Sequence, residues 1–349
     1  MADLNDLPDK MKELVVEEKT NGKNWNDLPF EMKEMVIKEM TYETRARLKM
    51  CSKNDKYLVE STKMSFEDLK IAAEKKEEYT VFAIALQMKN NPKLDFSLRM
   101  CAFNSGPYAG IVYTERNLHH KYITCSSGEE ASMMINRFFN NIVLDRNLHF
   151  NSIVITGNYP GFLDGREFTI HPKGAIKIKG MASEVTGWLK NIAPGVKTID
   201  LEKDEEANDV MIEGLGTIPA VMNATTFNTD YDCDINDDNV SNFKCRVLLL
   251  DYKSNITGKG INQFIKKVIA NNYENAHLGI TLNEITFQTW NDMIDGLDVK
   301  ATLSGDYPED EHGRVKFGVR KGYIQMSQGK RLEVIINNEK KQCIIHLSS

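Results

Sequence analysis

The sequence predicts an α+β protein in which a small helical module precedes a larger region of strands and helices. Apolar residues recur at helical spacing over residues 24–63, which indicates short packed helices. From about residue 94, short β-branched runs alternate with amphipathic segments. After residue 300, apolar and polar residues alternate, which is typical of antiparallel strands. We therefore expect boundaries near residues 24, 64, 94 and 301.

Composition narrows the class of protein. The chain has 349 residues, of which 41% are hydrophobic and 27% are charged, as in ordinary globular proteins. Its net charge of −6 offers no electrostatic reason to expect nucleic-acid binding. The start of the chain is acidic rather than signal-like, and no apolar run reaches the ~18–20 residues of a membrane helix. With six scattered cysteines, we expect a cytoplasmic or nuclear protein that is neither secreted nor membrane-bound.

Helix signals are densest in residues 28–61. Pro29 suits a first helical turn, because its missing N–H needs no partner there. Ser52 followed by Asp55 is a weak capping-box signal for a third helix. A unit of roughly 40 residues usually needs a metal, disulfides or a partner for stability. With one cysteine and no histidine in this stretch, a partner is favoured, although a helical start to a larger domain is the alternative.

These same residues resemble an F-box, in the form common in the large nematode F-box families. The resemblance is carried by an ordered set: Leu28, Pro29, Glu31, Met32, Met35, Val36, Thr44, Arg45, Cys51, Ser52, Lys53, Leu58, Val59, Glu60 and Ser61. One position departs from the pattern. Many F-boxes place a tryptophan on the third helix, where this chain has Asn54, Asp55 and Lys56.

The resemblance implies a non-enzymatic adaptor without cofactor or metal. It implies docking onto the Skp-family linker of an SCF ubiquitin ligase, and through the linker onto a cullin. The domain after the module would then bind an unknown protein substrate. The expected linker-binding residues are Leu28, Pro29, Met32, Met35, Val36, Met40, Leu48 and Val59. A protein-binding scaffold or decoy with no ligase role is the alternative.

Two segments flank the module. Residues 4–18 align with residues 25–39 at an offset of 21, so residues 1–23 are a partial duplicate of the first helix. This duplicate either packs beside the module or extends its docking face. Residues 64–93 are predicted to form a linker helix, because Ser65 and Asp68 match a capping box ahead of apolar and charged residues.

Residues 94–300 are predicted to form a βα domain. Strands are expected at residues 111–113, 122–124, 152–156, 175–179, 196–201, 244–252 and 278–281, and helices at 127–143, 183–191, 215–222, 260–270 and 287–294. The alternation favours βα units in a curved, leucine-rich-repeat-like solenoid, with a doubly wound sheet as the alternative. Residues 301–349 are predicted to form an antiparallel meander with strands at 315–317, 323–326, 332–336 and 342–347.

The second region also resembles a family. The strand at Val247–Tyr252, the helix at Ile261–Ile269 and the closing segment at Arg331–Leu347 are similar to the FTH domain that follows the F-box in many nematode proteins. This resemblance spans roughly residues 94–349 and implies a substrate-binding domain.

No catalytic or metal-binding constellation is predicted. Asp230, Asp232 and Asp234 alternate as at the start of a calcium loop, but Ile235 stands where the loop needs glycine. His119 and His120 are adjacent and match no metal-ligand spacing. The chain contains no phosphate loop and no nucleophile elbow.

Overall fold

The chain divides into two compact units by its internal contacts. Unit 1 comprises Met1–Lys70 and Glu77–Asn151, and unit 2 comprises Ile71–Lys76 and Ser152–Ser349. The computed structural model describes residues 25–40, 42–62, 64–75, 79–87, 96–103, 110–116, 119–127, 148–157, 169–204, 211–304, 319–326, 329–337 and 339–348, with single positions between 130 and 143. The duplicated segment at residues 1–23 lies outside this part, as does residue 24.

Unit 1 begins with the three predicted helices. They are α1 (Phe30–Glu39), α2 (Tyr42–Leu48) and α3 (Lys53–Ser61), preceded by a 3-10 turn at Trp25–Asp27. Helix α1 starts directly after Pro29, whose fixed φ of −54° suits the entry to a helix. Helix α3 is capped by Ser52, whose side chain accepts a hydrogen bond from the Asp55 amide, which confirms the predicted capping signal.

The predicted linker helix at residues 64–93 is wrong. Two strands, β1 (Met64–Lys75) and β2 (Tyr79–Gln87), occupy its described part. Phe82, Ile84 and Leu86 are buried and alternate with half-buried Ala83 and Ala85, which is the period of a strand and not of a helix. The charge run Glu74–Glu78 favours a solvated helix face, yet Glu74 and Lys75 are the last residues of β1.

Unit 1 continues with strands β3 (Phe96–Phe103), β4 (Gly110–Arg116) and β5 (His119–Cys125). Strands β2 to β5 pair antiparallel in chain order. The pairing of β4 with β5 confirms the hairpin predicted at residues 111–124, whereas β3 was not predicted. Within residues 127–143, positions 130, 133, 134, 137, 139 and 140 are helical, in agreement with the helix expected there.

Unit 2 is built on parallel strands interleaved with helices. Its strands are β6 (Leu148–Gly157, from Ser152), β7 (Ala175–Gly180), β8 (Thr198–Lys203), β9 (Thr226–Thr229), β10 (Val247–Lys253) and β11 (His277–Thr281). Its helices are α4 (Ala182–Lys190), α5 (Pro219–Asn223), α6 (Asp237–Asn242), α7 (Gly258–Asn271) and α8 (Phe287–Ile294), with a 3-10 turn at Leu215–Thr217. Strand β9 and helix α6 were not predicted.

The strands of this parallel sheet lie in chain order. Each of β6 to β11 pairs with the next strand along the chain, without a reversal. A doubly wound sheet reverses its strand order at a switch point, so that alternative is wrong for the described strands. The sequential order is the one expected of stacked βα units, and the solenoid curvature stays a prediction.

The end of unit 2 is an antiparallel meander. Strands β12 (Val299–Ser304), β13 (Val319–Gln325), β14 (Arg331–Asn337) and β15 (Gln342–Ser348) pair in that order, and β15 pairs antiparallel with β11. The last three predicted strands are confirmed, while the one at residues 315–317 lies outside the described residues. Strand β12 starts before residue 301, so the predicted boundary cuts through it.

Helices α7 and α8 approach closely at Gly258, the first residue of α7. A Cβ atom at Gly258 would lie 2.4 Å from the carbonyl oxygen of Thr289 and 2.9 Å from Cβ of Asp292, both on α8. Since the nearest atom belongs to the backbone, it cannot rotate away, and the two helices would have to separate.

We therefore expect Gly258→Ala to lower the free energy of unfolding of the full chain by about 1–3 kcal/mol. Lys259→Ala, at the exposed neighbouring position of the same helix, is the matched control and should stay within about 0.5 kcal/mol. Urea unfolding followed by circular dichroism measures both. Equal unfolding midpoints for the two variants would show that the close approach is not rigid.

Candidate functional site

The three helices of unit 1 share a small hydrophobic interior. Its buried members are Ile37 from α1, Met40 at the end of α1, and Leu58 and Val59 from α3. Partly buried side chains pack around them: Trp25, Val36 and Leu48. Two of the predicted linker-binding residues, Met40 and Val59, are therefore 8% and 3% exposed and support the module from inside.

A partly buried polar network joins the start of the module to its third helix. The Trp25 indole Nε1 donates a hydrogen bond to Asp55 Oδ1 at 2.7 Å, across thirty positions of the chain. Ser52 Oγ donates to Asp55 Oδ2 at 2.7 Å and accepts from the Asp55 amide at 3.0 Å. Both carboxylate oxygens of Asp55, a residue only 8% exposed, are thus satisfied. The Ser52–Asp55 contact is the predicted capping signal, whereas no sequence pattern predicts the contact of Trp25 with Asp55.

Asp55 belongs to the part of the third helix where the F-box resemblance leads us to expect a tryptophan. Trp25, which precedes α1, packs against the interior and donates its indole N–H to Asp55 on the third helix. Trp25 also contacts α1, because Lys33 Nζ lies 5.7 Å from the centre of its ring. Trp25 therefore fixes the entry of α1 relative to α3.

Helix α2 is anchored by a buried arginine. Arg45 is 5% exposed, and its Nη1 donates a hydrogen bond at 3.0 Å to the carbonyl oxygen of Thr62, just after α3. Burial lowers the pKa of Arg45 to about 10, while the nearby charge of Glu39 acts in the opposite direction. The guanidinium therefore stays charged at neutral pH and holds α2 against the end of the module.

The predicted linker-binding residues differ in exposure. Pro29 and Met35 are exposed, Leu28, Met32, Val36 and Leu48 are partly buried, and Met40 and Val59 are buried. Leu28 and Pro29 immediately precede α1, and Met32 and Met35 lie three residues apart on it; we call these four residues the α1 stripe. Met35 is 58% exposed, so the stripe presents apolar surface that the interior does not use.

Three further apolar side chains of the module are solvent-accessible. Phe30, Met50 and Tyr57 are 51%, 79% and 70% exposed. The sequence missed them for a simple reason. Phe30 and Tyr57 lie outside the apolar spacing that predicts the docking residues, and Met50 lies in the turn between α2 and α3, so helical periodicity does not select them.

Two of the acidic residues that resemble the start of a calcium loop, Asp232 and Asp234, accept hydrogen bonds from backbone amides. Asp232 Oδ1 accepts from the Lys253 amide at 2.9 Å, and Asp234 Oδ2 accepts from the Gly214 amide at 2.6 Å. Asn236 caps helix α6. In the part of the chain that the structure describes, no three His, Cys, Asp or Glu residues are placed to hold a metal ion.

A cavity of about 380 Å³ lies in unit 2, beside the starts of α7 and α8. Its polar lining includes Thr257, Asn283, Glu284, Thr286 and Asp292. Thr257 and Thr286 use their side chains to cap the two helices. Two of the polar side chains that line the cavity therefore stabilise helix ends, and the cavity gives no indication of a catalytic site.

Comparison with protein families identifies the module. A family model described as the F-box domain matches residues 25–66. Residues 25–66 form an F-box domain. The match begins at Trp25, includes all three helices and ends within β1. Neither a curated protein nor a solved structure matches the chain significantly.

The F-box domain indicates an SCF-type adaptor role in general terms, and such domains typically bind Skp-family linkers. F-box proteins are generally adaptors rather than enzymes. Among the described residues, no helix is both long and apolar enough to cross a bilayer.

The hydrogen bond between Trp25 and Asp55 can be tested in the full chain. Asp55→Ala leaves the indole N–H and the Ser52 hydroxyl without their acceptor, at a cost of about 1–3 kcal/mol. We therefore expect the amides of Lys53–Ser61 to exchange about 5- to 150-fold faster, as followed by hydrogen-exchange mass spectrometry. Asn54→Ala, at the exposed preceding position, is the control. Unchanged exchange in Asp55→Ala would show that the network does not hold α3.

Proposed function

We propose that the chain is the substrate-recognition adaptor of an SCF-type ubiquitin ligase. The F-box would dock the Skp-family linker, which connects to a cullin, and the domain after it would bind the target protein. The observation that carries this proposal is the F-box at residues 25–66 together with an accessible α1 stripe.

Docking through the α1 stripe agrees with the energetics of apolar burial. Covering one Leu or Met side chain is worth roughly 1.5–3 kcal/mol. Several such side chains outweigh the several kcal/mol that association costs. Unbranched methionines at positions 32 and 35 can adapt to an irregular partner groove. Of the eight predicted linker-binding residues, we therefore propose that Leu28, Pro29, Met32 and Met35 make the main contacts, with Val36 and Leu48 at their edge.

The proposed role needs no acid, base or nucleophile from this chain. An adaptor accelerates ubiquitin transfer by holding the target near the charged conjugating enzyme, which raises the effective concentration of its lysines. The division into two compact units supports this separation of tasks, since the F-box lies in unit 1 and the parallel sheet in unit 2.

We also propose that the region after the F-box is an FTH-type domain of the nematode kind, and that the protein acts in the cytoplasm or the nucleus. The three segments that carry the resemblance fall on β10, on α7 and on the β14–β15 pair. All three belong to unit 2, so the proposal is best supported for residues 152–349, whereas residues 94–151 belong to unit 1.

Linker binding is tested by substituting the α1 stripe. We expect Leu28→Ala with Pro29→Ala, and separately Met35→Ala, to weaken co-purification of a Skp-family linker by about 10-fold or more, because a central contact costs about 1–2 kcal/mol or more. Met211→Ala, which truncates a methionine that is 45% exposed in unit 2, is the matched control.

Full linker binding by both stripe variants would contradict the proposed docking face. If the wild-type chain bound a target protein but neither linker nor cullin, the scaffold or decoy alternative would replace the adaptor role.

A further inference from the structure

Ser52 is an exposed residue at the junction of helices α2 and α3. It ends the turn of residues 49–52, and its backbone is extended, with φ of −155° and ψ of 166°. Exposed turns are where enzymes most readily reach a folded chain. The hydroxyl of Ser52 is therefore accessible to a modifying enzyme, although it also caps α3.

Basic residues surround Ser52 in the sequence. Arg47 lies five positions and Lys49 three positions before it, and Lys53 follows it directly. Ser52 is the one serine of the chain that has a lysine or arginine three positions before it. Protein kinases select their substrates partly by charge pattern, and many serine kinases prefer basic residues before the serine that they modify. The pattern matches such a kinase at Ser52 and at no other serine.

The hydroxyl of Ser52 belongs to the network that joins the start of the F-box to α3. Ser52 Oγ donates its single proton to Asp55 Oδ2 at 2.7 Å, while Trp25 Nε1 donates to Asp55 Oδ1 at the same distance. Both donors share one carboxylate, whose residue is 8% exposed. A change of charge at Ser52 therefore acts directly on the acceptor that Trp25 uses.

We propose that Ser52 is a phosphorylation site for a serine kinase that selects basic residues, and that the phosphate loosens the F-box by displacing Asp55 from Trp25. Without this contact, the entry of α1 is no longer fixed relative to α3, and docking of the linker through the α1 stripe weakens. Only the effect on docking rests on the proposed function; the modification and the loosening do not.

The modification converts a hydrogen-bond donor into an anion. Ser52 Oγ attacks the γ-phosphorus of ATP in the kinase, and an O–P bond forms as the bond between that phosphorus and the β–γ bridging oxygen breaks. ADP leaves, and the hydroxyl proton passes to the catalytic base of the kinase. The product carries about −1.5 to −2 charges at neutral pH and has lost the proton that Asp55 accepts.

Two opposing effects act on this phosphate, and burial decides between them. Its charge suits the N-terminus of α3 and attracts Lys53 and Lys56. Both lysines are exposed, so solvent screens that attraction. Asp55 is buried beside the modified oxygen, where like charges repel more strongly than in water. Asp55 can withdraw from the phosphate only by giving up its hydrogen bond from Trp25.

The site is tested by incubating the full chain with ATP and a panel of purified serine kinases that prefer arginine or lysine at positions −5 and −3. Mass spectrometry then locates the phosphate. We expect it on Ser52 and not on Ser61, an exposed serine at the end of α3 that has Leu58 at position −3. Arg47→Ala, at an exposed position, should slow the modification about two- to fivefold. Lack of phosphate on Ser52 with every kinase, or equal modification of Ser61, would overturn the proposal.

The loosening is measured by hydrogen exchange of the phosphorylated full chain. The amides of Lys53–Ser61 should exchange about 5- to 150-fold faster than in the unmodified chain, as expected when buried donors lose their acceptor. Asp55→Asn removes the like charge and keeps an oxygen that can accept from the indole. In this variant, phosphorylation should not accelerate exchange. Unchanged or slower exchange in the phosphorylated wild-type chain, or equal acceleration in Asp55→Asn, would overturn the proposal.

Co-purification of the Skp-family linker is measured on the same preparations. Phosphorylation should weaken it about 5- to 150-fold, the usual range of coupling between two sites. Faster exchange of α3 with undiminished linker binding would overturn the proposed effect on docking. A chain that bound no linker in either state would refute the adaptor role, while phosphate on Ser52 and faster exchange would still uphold the modification and the loosening.

Discussion

The interior of the F-box is too small to use all the apolar side chains that its helices carry. Among its described residues, Ile37, Met40, Leu58 and Val59 are its buried hydrophobic cluster. The alignment of α1 against α3 therefore depends on the polar contact between Trp25 and Asp55 as much as on packing. Once this contact fixes α1, the stripe that includes Met35 cannot turn inward and remains available to a partner.

In unit 2 the side that the interior does not use carries charged side chains, whereas in the F-box it carries apolar ones. Its sheet has one face buried under aliphatic and aromatic side chains and one face that keeps charges in contact with solvent. Successive side chains of a strand point to opposite faces of the sheet, so burying one face also fixes the positions of the side chains on the other. Asp200 and Glu202 are therefore held in place by the burial of Ile199 and Leu201 between and beside them.

Sequence patterns predicted the elements whose periodicity is local and missed those that depend on tertiary context. The amphipathic α7 and the apolar β10 were identified because their own residues carry the signal. The short strand β9, with only Phe227 and Thr229 buried, offers too few residues for a pattern. The sequence of β1 and β2 predicts a helix because alanines and charged residues there also suit helices, and pairing with neighbouring strands overrides that propensity.

For the docking site, helical periodicity found the stripe on α1 but could not separate exposed from buried members. Met35 and Met40 share the pattern, yet the first is 58% and the second 8% exposed, since exposure is decided by where α3 packs. The partnership of Trp25 with Asp55 is equally invisible to local patterns, because it joins residues thirty positions apart.

Hydroxyl-radical footprinting of the full chain, with and without a purified Skp-family linker, tests the central claim most directly. Radical oxidation reports side-chain exposure, and methionine is among the reactive side chains. The account predicts that the linker slows oxidation of Met35 and leaves Met211 in unit 2 unchanged. Equal oxidation of Met35 with and without a bound linker, or protection confined to Met211, would contradict docking through the α1 stripe.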